Sequence, residues 1–336
     1  MTRHLQNKPG KVLYLEHTSK VLKNNHLGDP HIRKIGVYLP HDYEQNPQKH
    51  YPLFMYLAGF MSSGLSALNW TNFTENIPER IDRLIHTKKM GPVIVVFPDC
   101  FTRFGGNQYI NSPAIGNYAD YIINEIIPFI DSKLRTDKTK RACFGHSSGG
   151  YGALVMGMKR PDIWNAIACH AGDMNFNLCY RSDFTRVCNT LAKYNGSIKK
   201  FLKAFEESEK PSRDDIELLM TIAMAASYDR DQKEPLGFHF PLNSYTCEID
   251  EKRWKEWLKH DPIYMVETYA HNLKKLKLLY LDSGNKDEYH MHFGARIFVQ
   301  KLKELKIKHC YEEFEGGHSG NSYRLDTSLP MLYRAL

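Results

Sequence analysis

At 336 residues the chain is long enough to bury a substantial core without disulfide or metal staples. Its 42% hydrophobic and 25% charged residues are the proportions of an ordinary globular protein, which argues against a disordered, fibrous or membrane-embedded chain. The formal charge of +7, from 45 basic and 38 acidic residues, is small and scattered; the densest clusters are pairs such as Lys199 with Lys200 and Lys274 with Lys275, so no nucleic-acid partner is expected.

Seven cysteines are present with no Cys-x-x-Cys pair, an odd number that suits buried thiols in a reducing compartment. The opening "MTRHLQNKPGKV" has no apolar core, so no signal peptide is expected. No run of about 18 apolar residues occurs, so no membrane partner is expected either. A cytoplasmic location is the resulting expectation.

The first elements read as strands: "KVLYLEH" and "RKIGVYLP" carry β-branched and aromatic residues between turns. "YPLFMYLAG" and "GPVIVVFPD" are apolar almost throughout, as in central strands covered on both faces. Between them Ile77, Ile81, Leu84 and Ile85 recur at helical spacing. A polar loop with Gly105 and Gly106 follows, and then a helical pattern, "NYADYIINEIIPFIDSKL", in which Pro128 predicts a kink. "KRACFG" reads as a strand, "GALVMGMKRP" as a helix and "NAIACHAG" as the next strand. Residues from about 173 to 260 change character to charged helical patterns, and "LKLLYLDSG", "GARIFVQKLKELK" and "HCYEEFEGG" then read as strand, helix, strand. "LDTSLPMLYRAL" predicts a terminal helix. This alternation predicts an α/β fold over residues 1–336: one domain with a mostly parallel sheet, helices on both faces, and a helical insertion at about 173–260.

The chemistry concentrates in "RACFGHSSGGYGAL". Gly-x-Ser-x-Gly fits one frame only, Gly145 to Gly149, which makes Ser147 the candidate nucleophile. Between a strand and a helix this pattern forms a sharp turn that exposes the serine and aims the next amide, that of Ser148, at the reacting oxygen. A phosphate loop would need Gly-Lys-Ser/Thr, and the dinucleotide pattern Gly-x-Gly-x-x-Gly is absent in the right order, so no nucleotide cofactor is expected.

A serine needs a base and a group that orients the base, and in this strand–turn–helix class the order is serine, acid, histidine. The loop after "LKLLYL" offers Asp282, Asp287 and Glu288, with Asp287 preferred, Asp282 second and Glu288 third. His318 is the only histidine in the last loop, after Gly316 and Gly317. His146 reads as a packing residue beside the turn. His290 and His292 alternate without matching acidic ligands, so no metal is expected. The second oxyanion-hole amide is expected from Phe60, with Met61 as the neighbouring alternative. The loop 99–113 is expected to line the substrate pocket through Gln108, Tyr109 and Asn111.

The segments "VYLPHDYEQNPQKHYPLFMYLAGF", "FGGNQYINSPAIGNYADYIINEIIPFID", "RACFGHSSGGYGAL", "GNKDEYH" and "GGHS" resemble the esterase D-like branch of the α/β-hydrolases. That group includes S-formylglutathione hydrolases, carbohydrate-esterase feruloyl and acetyl xylan esterases, and mycolyltransferases. The resemblance implies Ser147 as nucleophile, Asp287 as acid and His318 as base. It departs at Ala58-Gly59, where many relatives carry His-Gly, and in the long stretch before "LKLLYL", where α/β-hydrolases often carry a cap.

The expected activity is hydrolysis of a small-molecule ester or thioester through an acyl-enzyme, without a cofactor. An acyltransferase would use the same triad with another acceptor. A binding protein on the same fold is the remaining alternative, against which the ordered Ser, acid and His argue. The insertion is expected to cap the site, with Phe201, Phe205, Trp254 and Trp257 either walling a pocket or forming the cap's own small core.

Overall fold

The two unbroken apolar runs lie side by side in the interior of an eight-stranded sheet. In this computed structural model, which describes residues 8–336, the strands are β1 (Lys11–Thr18), β2 (Ile32–Leu39), β3 (Tyr51–Leu57), β4 (Ile94–Pro98), β5 (Asn111–Ser112), β6 (Gly116–Asn117), β7 (Thr136–His146), β8 (Ala166–His170), β9 (Leu278–Gly284) and β10 (Cys310–Phe314). Part of the opening stretch that argued against a signal peptide lies outside the described residues. The main sheet runs β1-β2-β4-β3-β7-β8-β9-β10, while β5 and β6 pair only with each other. From β4 to β10 neighbouring strands are parallel; β1–β2 and β2–β4 are antiparallel.

β3 has β4 on one side and β7 on the other, so the chain changes direction of travel across the sheet there. Such a switch opens a crevice at the carboxyl ends of the strands, where ligands of open α/β sheets bind. The loops leaving β3 and β7 both rise at this point.

Side chains alternate along the central strands and both faces are apolar. Leu53, Met55, Leu57, Val96, Cys143 and Leu279 pack with Ile126, Ile130, Leu154 and Phe298 on one face. Phe54, Val95, Phe97, Phe144 and Ala168 pack with Ile81, Leu84, Leu329 and Leu332 on the other. The two helices on that second face, Ile77–His86 and Leu325–Ala335, are also tied by charge: Arg80 and Arg83 reach Asp326 at 2.5 and 2.8 Å.

The kink expected at Pro128 takes a specific form. Residues Tyr121–Ile126 widen into a π-helical turn before the helix Ile127–Lys133. Proline has no amide proton and its ring crowds the preceding turn; a wider turn relieves both demands. Between β8 and β9 the chain passes through helices that include Phe184–Ala192, Ile198–Glu207, Arg213–Tyr228 and Glu251–Leu258. Phe201, Trp254 and Trp257 are fully buried there; Trp254 and Trp257 pack edge-on to Phe184, and Phe201 meets Tyr194 and Phe205. These aromatics fill the insertion's interior, because helices this charged need an apolar core of their own. Among the described residues no helix is long and apolar enough to cross a membrane.

The helix Ser148–Lys159 is buried over Ser148 to Met158, and it approaches β3 so closely that a Cβ on Gly149 would lie 2.0 Å from the Leu57 carbonyl oxygen. Backbone cannot give way there as a side-chain tip can. Gly149→Ala is therefore expected to lower stability by about 1–3 kcal/mol or to prevent folding. Chemical denaturation of the variant checks this, and a melting curve matching the parent's would contradict the packing described.

Candidate active site

The turn between β7 and the buried helix leaves one residue in an unusual backbone state. Ser147 has φ 58° and ψ −127°, a combination that a residue with a Cβ avoids unless its surroundings impose it. They do: its amide donates to the His170 carbonyl at 2.9 Å, and its carbonyl accepts from the Tyr151 amide at 2.9 Å. Ser148 begins the helix, so its amide has no acceptor one turn back within the helix.

Asp287 follows β9 and His318 follows β10, and their loops meet. His318 Nδ1 donates to Asp287 Oδ2 at 2.7 Å, and Asp287 Oδ1 accepts the Tyr289 amide at 2.9 Å. Burial opposes ionisation of Asp287, but the hydrogen bond and charge of His318, with the Tyr289 and Met291 amides, hold it below the ordinary carboxylate range. A carboxylate only accepts, so the Nδ1 proton is fixed and a neutral His318 presents a lone pair at Nε2.

The rest of His318 is also held. Its amide donates to Glu288 Oε2 at 2.7 Å, and its carbonyl accepts from His146 Nε2 at 2.8 Å. Its ring lies 4.7 Å from the His146 ring and 4.8 Å from the Tyr289 ring. His146 directly precedes Ser147, so these contacts bring Ser147, Asp287 and His318 to one edge of the sheet. Glu288, third among the candidate acids, is engaged with backbone here.

Asp282, the second candidate acid, lies elsewhere. It is buried at the end of β9, where its carboxylate accepts from His170 Nδ1 at 2.7 Å, Arg324 Nε at 3.0 Å and the Tyr280 hydroxyl at 3.0 Å. His170 Nε2 in turn lies 2.9 Å from Ser328 Oγ. Ser328, His170 and Asp282 thus form a second serine–histidine–aspartate chain, but Ser328 is 0% exposed within the terminal helix. It ties that helix to the sheet.

The loop after β3 reaches the nucleophile. A Cβ on Gly59 would lie 3.2 Å from the His146 carbonyl oxygen and 3.5 Å from Ser147 Cβ. The next residue, Phe60, is buried, and its carbonyl accepts from the Gly106 amide at 2.7 Å. Gly106 lies so close that a Cβ there would sit 2.6 Å from that oxygen. Met61 is 64% exposed.

Each of the three residues expected to contact substrate makes a hydrogen bond within the fold. Tyr109 is buried, and its hydroxyl donates to the Ala58 carbonyl at 2.6 Å, bracing the loop that carries Phe60. Asn111 accepts the Asp120 amide at 3.0 Å. Gln108 donates to Ser148 Oγ at 2.7 Å, one residue from the nucleophile.

Sequence reasoning passed over Asp173. It is 2% exposed and accepts from the Tyr180 hydroxyl at 2.6 Å and, more weakly, from Ser148 Oγ at 3.4 Å. Burial raises its pKa against the pull of Tyr180, His318, Gln108 and Ser148. Its position just past β8, next to the strand that carries Ser147, was the signal available. Tyr289, beside His318, donates its hydroxyl to Glu217 of the insertion at 3.3 Å.

The two aspartates are expected to separate by substitution. Burial disfavours the Asp282 charge, but His170 and Arg324 outweigh it and hold its pKa below the usual value. Asp282 thus stabilises the fold above the unfolded carboxylate pKa of about 3.9, and the contribution is lost as pH falls through the depressed folded value. Asp282→Ala strands the buried His170 and Tyr280, and removes one of two carboxylates from the partly buried Arg324, and is expected to cost about 3–5 kcal/mol near neutral pH. The deficit should begin to shrink below about pH 4, where the unfolded carboxylate takes up a proton, and vanish only below the depressed folded value, where the native carboxylate is protonated too. Denaturation across pH measures this; a deficit that grows in acid would contradict the pairing.

Comparisons with known proteins place the chain in a family and a fold. The mouse S-formylglutathione hydrolase is 31% identical over 80 residues, which is 22% of this chain and 28% of that protein. This match therefore spans less than a third of the relative's length. Among solved structures, a ferulic acid esterase aligns with a TM-score of 0.62 at 21% identity, covering 98% of this chain and 100% of its own. A fluorophosphonate-binding serine hydrolase of Staphylococcus aureus aligns at 0.59 with 16% identity, covering 97% and 98%. The S-formylglutathione hydrolase of Agrobacterium tumefaciens aligns at 0.58 with 15% identity, covering 98% and 96%. At such identities these structures establish the α/β-hydrolase fold. A family model described as "Putative esterase" matches residues 30–327, most of the strands and both loops that carry Asp287 and His318, and the chain belongs to that family of ester-hydrolysing enzymes.

Proposed function

We propose that the chain hydrolyses a small-molecule ester or thioester through an acyl-enzyme on Ser147, with His318 as base and Asp287 as its orienting acid. The observation that carries this is Ser147 held at φ 58° between a strand and a buried helix, on the edge where His318 donates to Asp287 at 2.7 Å. Ser328 has the same partner types without the strained turn or the exposure, which is why Ser147 is the candidate.

The chemistry runs as two transfers. His318 Nε2 takes the Ser147 hydroxyl proton as Oγ attacks the carbonyl carbon. Charge moves onto the carbonyl oxygen, where the amides of Ser148 and Phe60 stabilise it. Collapse expels the alcohol or thiol, which takes the proton from His318. Water then attacks the acyl-enzyme with His318 again as base, releasing the acid and restoring Ser147.

In this reading the insertion at 173–260 is part of the same domain and borders the site. The Tyr289–Glu217 contact and the burial of Asp173 against Ser148 Oγ support that role. Its Phe201, Trp254 and Trp257 pack in its own interior.

A fluorophosphonate probe tests the assignment. The parent should be labelled at Ser147, and Ser147→Ala should be unlabelled, inactive on aryl esters and normally folded. Labelling that persists in Ser147→Ala would overturn it. Asp287→Asn should lower kcat by up to about 10⁴-fold by favouring the wrong imidazole tautomer, with little loss of stability. Near-parental turnover of aryl esters by Asp287→Asn would remove Asp287 from the triad. Added alcohols in the ester panel should leave the free acid as main product; efficient transfer to them would move the activity to an acyltransferase.

A further inference from the structure

Resting on the triad reading above, we propose that His146 is a positioning residue that holds the base in register with the nucleophile. Asp287 fixes only one atom of the His318 ring. The loop bearing His318 follows two glycines, Gly316 and Gly317, so its backbone needs an anchor of its own. At His318 itself two bonds supply it, from the His318 amide to Glu288 at 2.7 Å and from His146 Nε2 to the His318 carbonyl at 2.8 Å; the glycines are held separately, the Gly316 carbonyl by the Lys286 amide at 2.9 Å and the Gly317 carbonyl by Asn321 Nδ2 at 2.7 Å.

The second bond has a particular geometry. His146 is covalently joined to Ser147, so one side chain and one hydrogen bond link the backbone of the nucleophile to that of the base. A shift of the His318 loop would have to break this link or move the turn, and the turn is packed against β3 and β8. The His146 ring also lies 4.7 Å from the His318 ring and the Tyr289 ring lies 4.8 Å from it, and both contacts limit its tilt.

The protonation state suits the task. A carbonyl can only accept, so Nε2 of His146 carries a proton, which a neutral imidazole can supply. Burial, and then the charges of His318 and His170, push the His146 pKa down to about 3, against the opposing pull of the His318 carbonyl and Asp287. His146 therefore stays neutral while His318 gains and loses its proton. A positive charge there would oppose the imidazolium that the reaction forms.

Three variants separate positioning from packing. His146→Phe keeps a flat ring and His146→Leu keeps bulk, and both lose the donor; His146→Gln keeps an N–H. Both donor-less variants should lose about 10- to 100-fold in kcat, the scale of a small misplacement of a reacting group, with KM little changed. His146→Gln should recover most of that loss. The downfield proton resonance of the His318 Nδ1–Asp287 bond should stay sharp in the parent and His146→Gln and broaden in His146→Phe. Parental kcat in His146→Phe or His146→Leu would overturn the proposal. Equal kcat loss in Gln and Phe variants with a sharp Nδ1 resonance would overturn it too. Fluorophosphonate labelling of the parent keeps the two readings apart: no label on Ser147 removes the triad itself, whereas a labelled parent with indifferent His146 variants removes only the role of His146.

Discussion

The site depends on one strained peptide unit. Ser147 can hold φ 58° only because the strand before it and the helix after it are both locked: β7 pairs with β3 and β8, and the helix presses its second residue onto the Leu57 carbonyl. That single turn ends β7 at Ser147 and leaves the Ser148 amide at a helix start. It also places His146 under the last loop. Backbone strain at a functional position persists when its surroundings over-determine it, and here the surroundings are the sheet itself.

The two serine–histidine–aspartate chains show what distinguishes a site from a scaffold. Ser328, His170 and Asp282 are linked at 2.9 and 2.7 Å, and the histidine–aspartate distance equals the 2.7 Å between His318 and Asp287. Yet Ser328 lies inside a helix and Asp282 also receives Arg324, so the chain fastens the terminal helix to β8 and β9. Side-chain distances alone would not separate them. Partial exposure, the strained turn and a helix-start amide do, and of the two serines it is Ser147 that has them.

Legibility from the sequence followed the range of the physics. The central strands were readable because a strand covered on both faces is apolar at every position. Ser147 was readable because the glycine frame permits one turn. Choosing Asp287 over Asp282 rested on loop position and on the resemblance; the competing pull on Asp282 comes from Arg324 and His170, which are distant in sequence. Tyr109 and Asn111 were expected at the substrate because they are polar residues on a loop; their bonds to Ala58 and Asp120 come from tertiary packing that the loop's composition does not encode. The role of Asp173, like the contact from His146 to the His318 carbonyl, depends on tertiary neighbours that no local pattern encodes. The π-helical turn before Pro128 shows the same limit on a smaller scale: the proline was plain, but how the chain absorbed it was not.

The central claim is that Ser147 carries the acyl group between two transfers. Rapid acid quenching during turnover of an activated aryl ester, followed by peptide mass spectrometry, tests it directly. Cleavage after Arg141 and Lys159 isolates a peptide containing Ser147. One acyl group is expected on that peptide, localised to Ser147 and formed in a burst that matches release of the first product. Turnover with no adduct on that peptide, or an adduct at another residue, would contradict it.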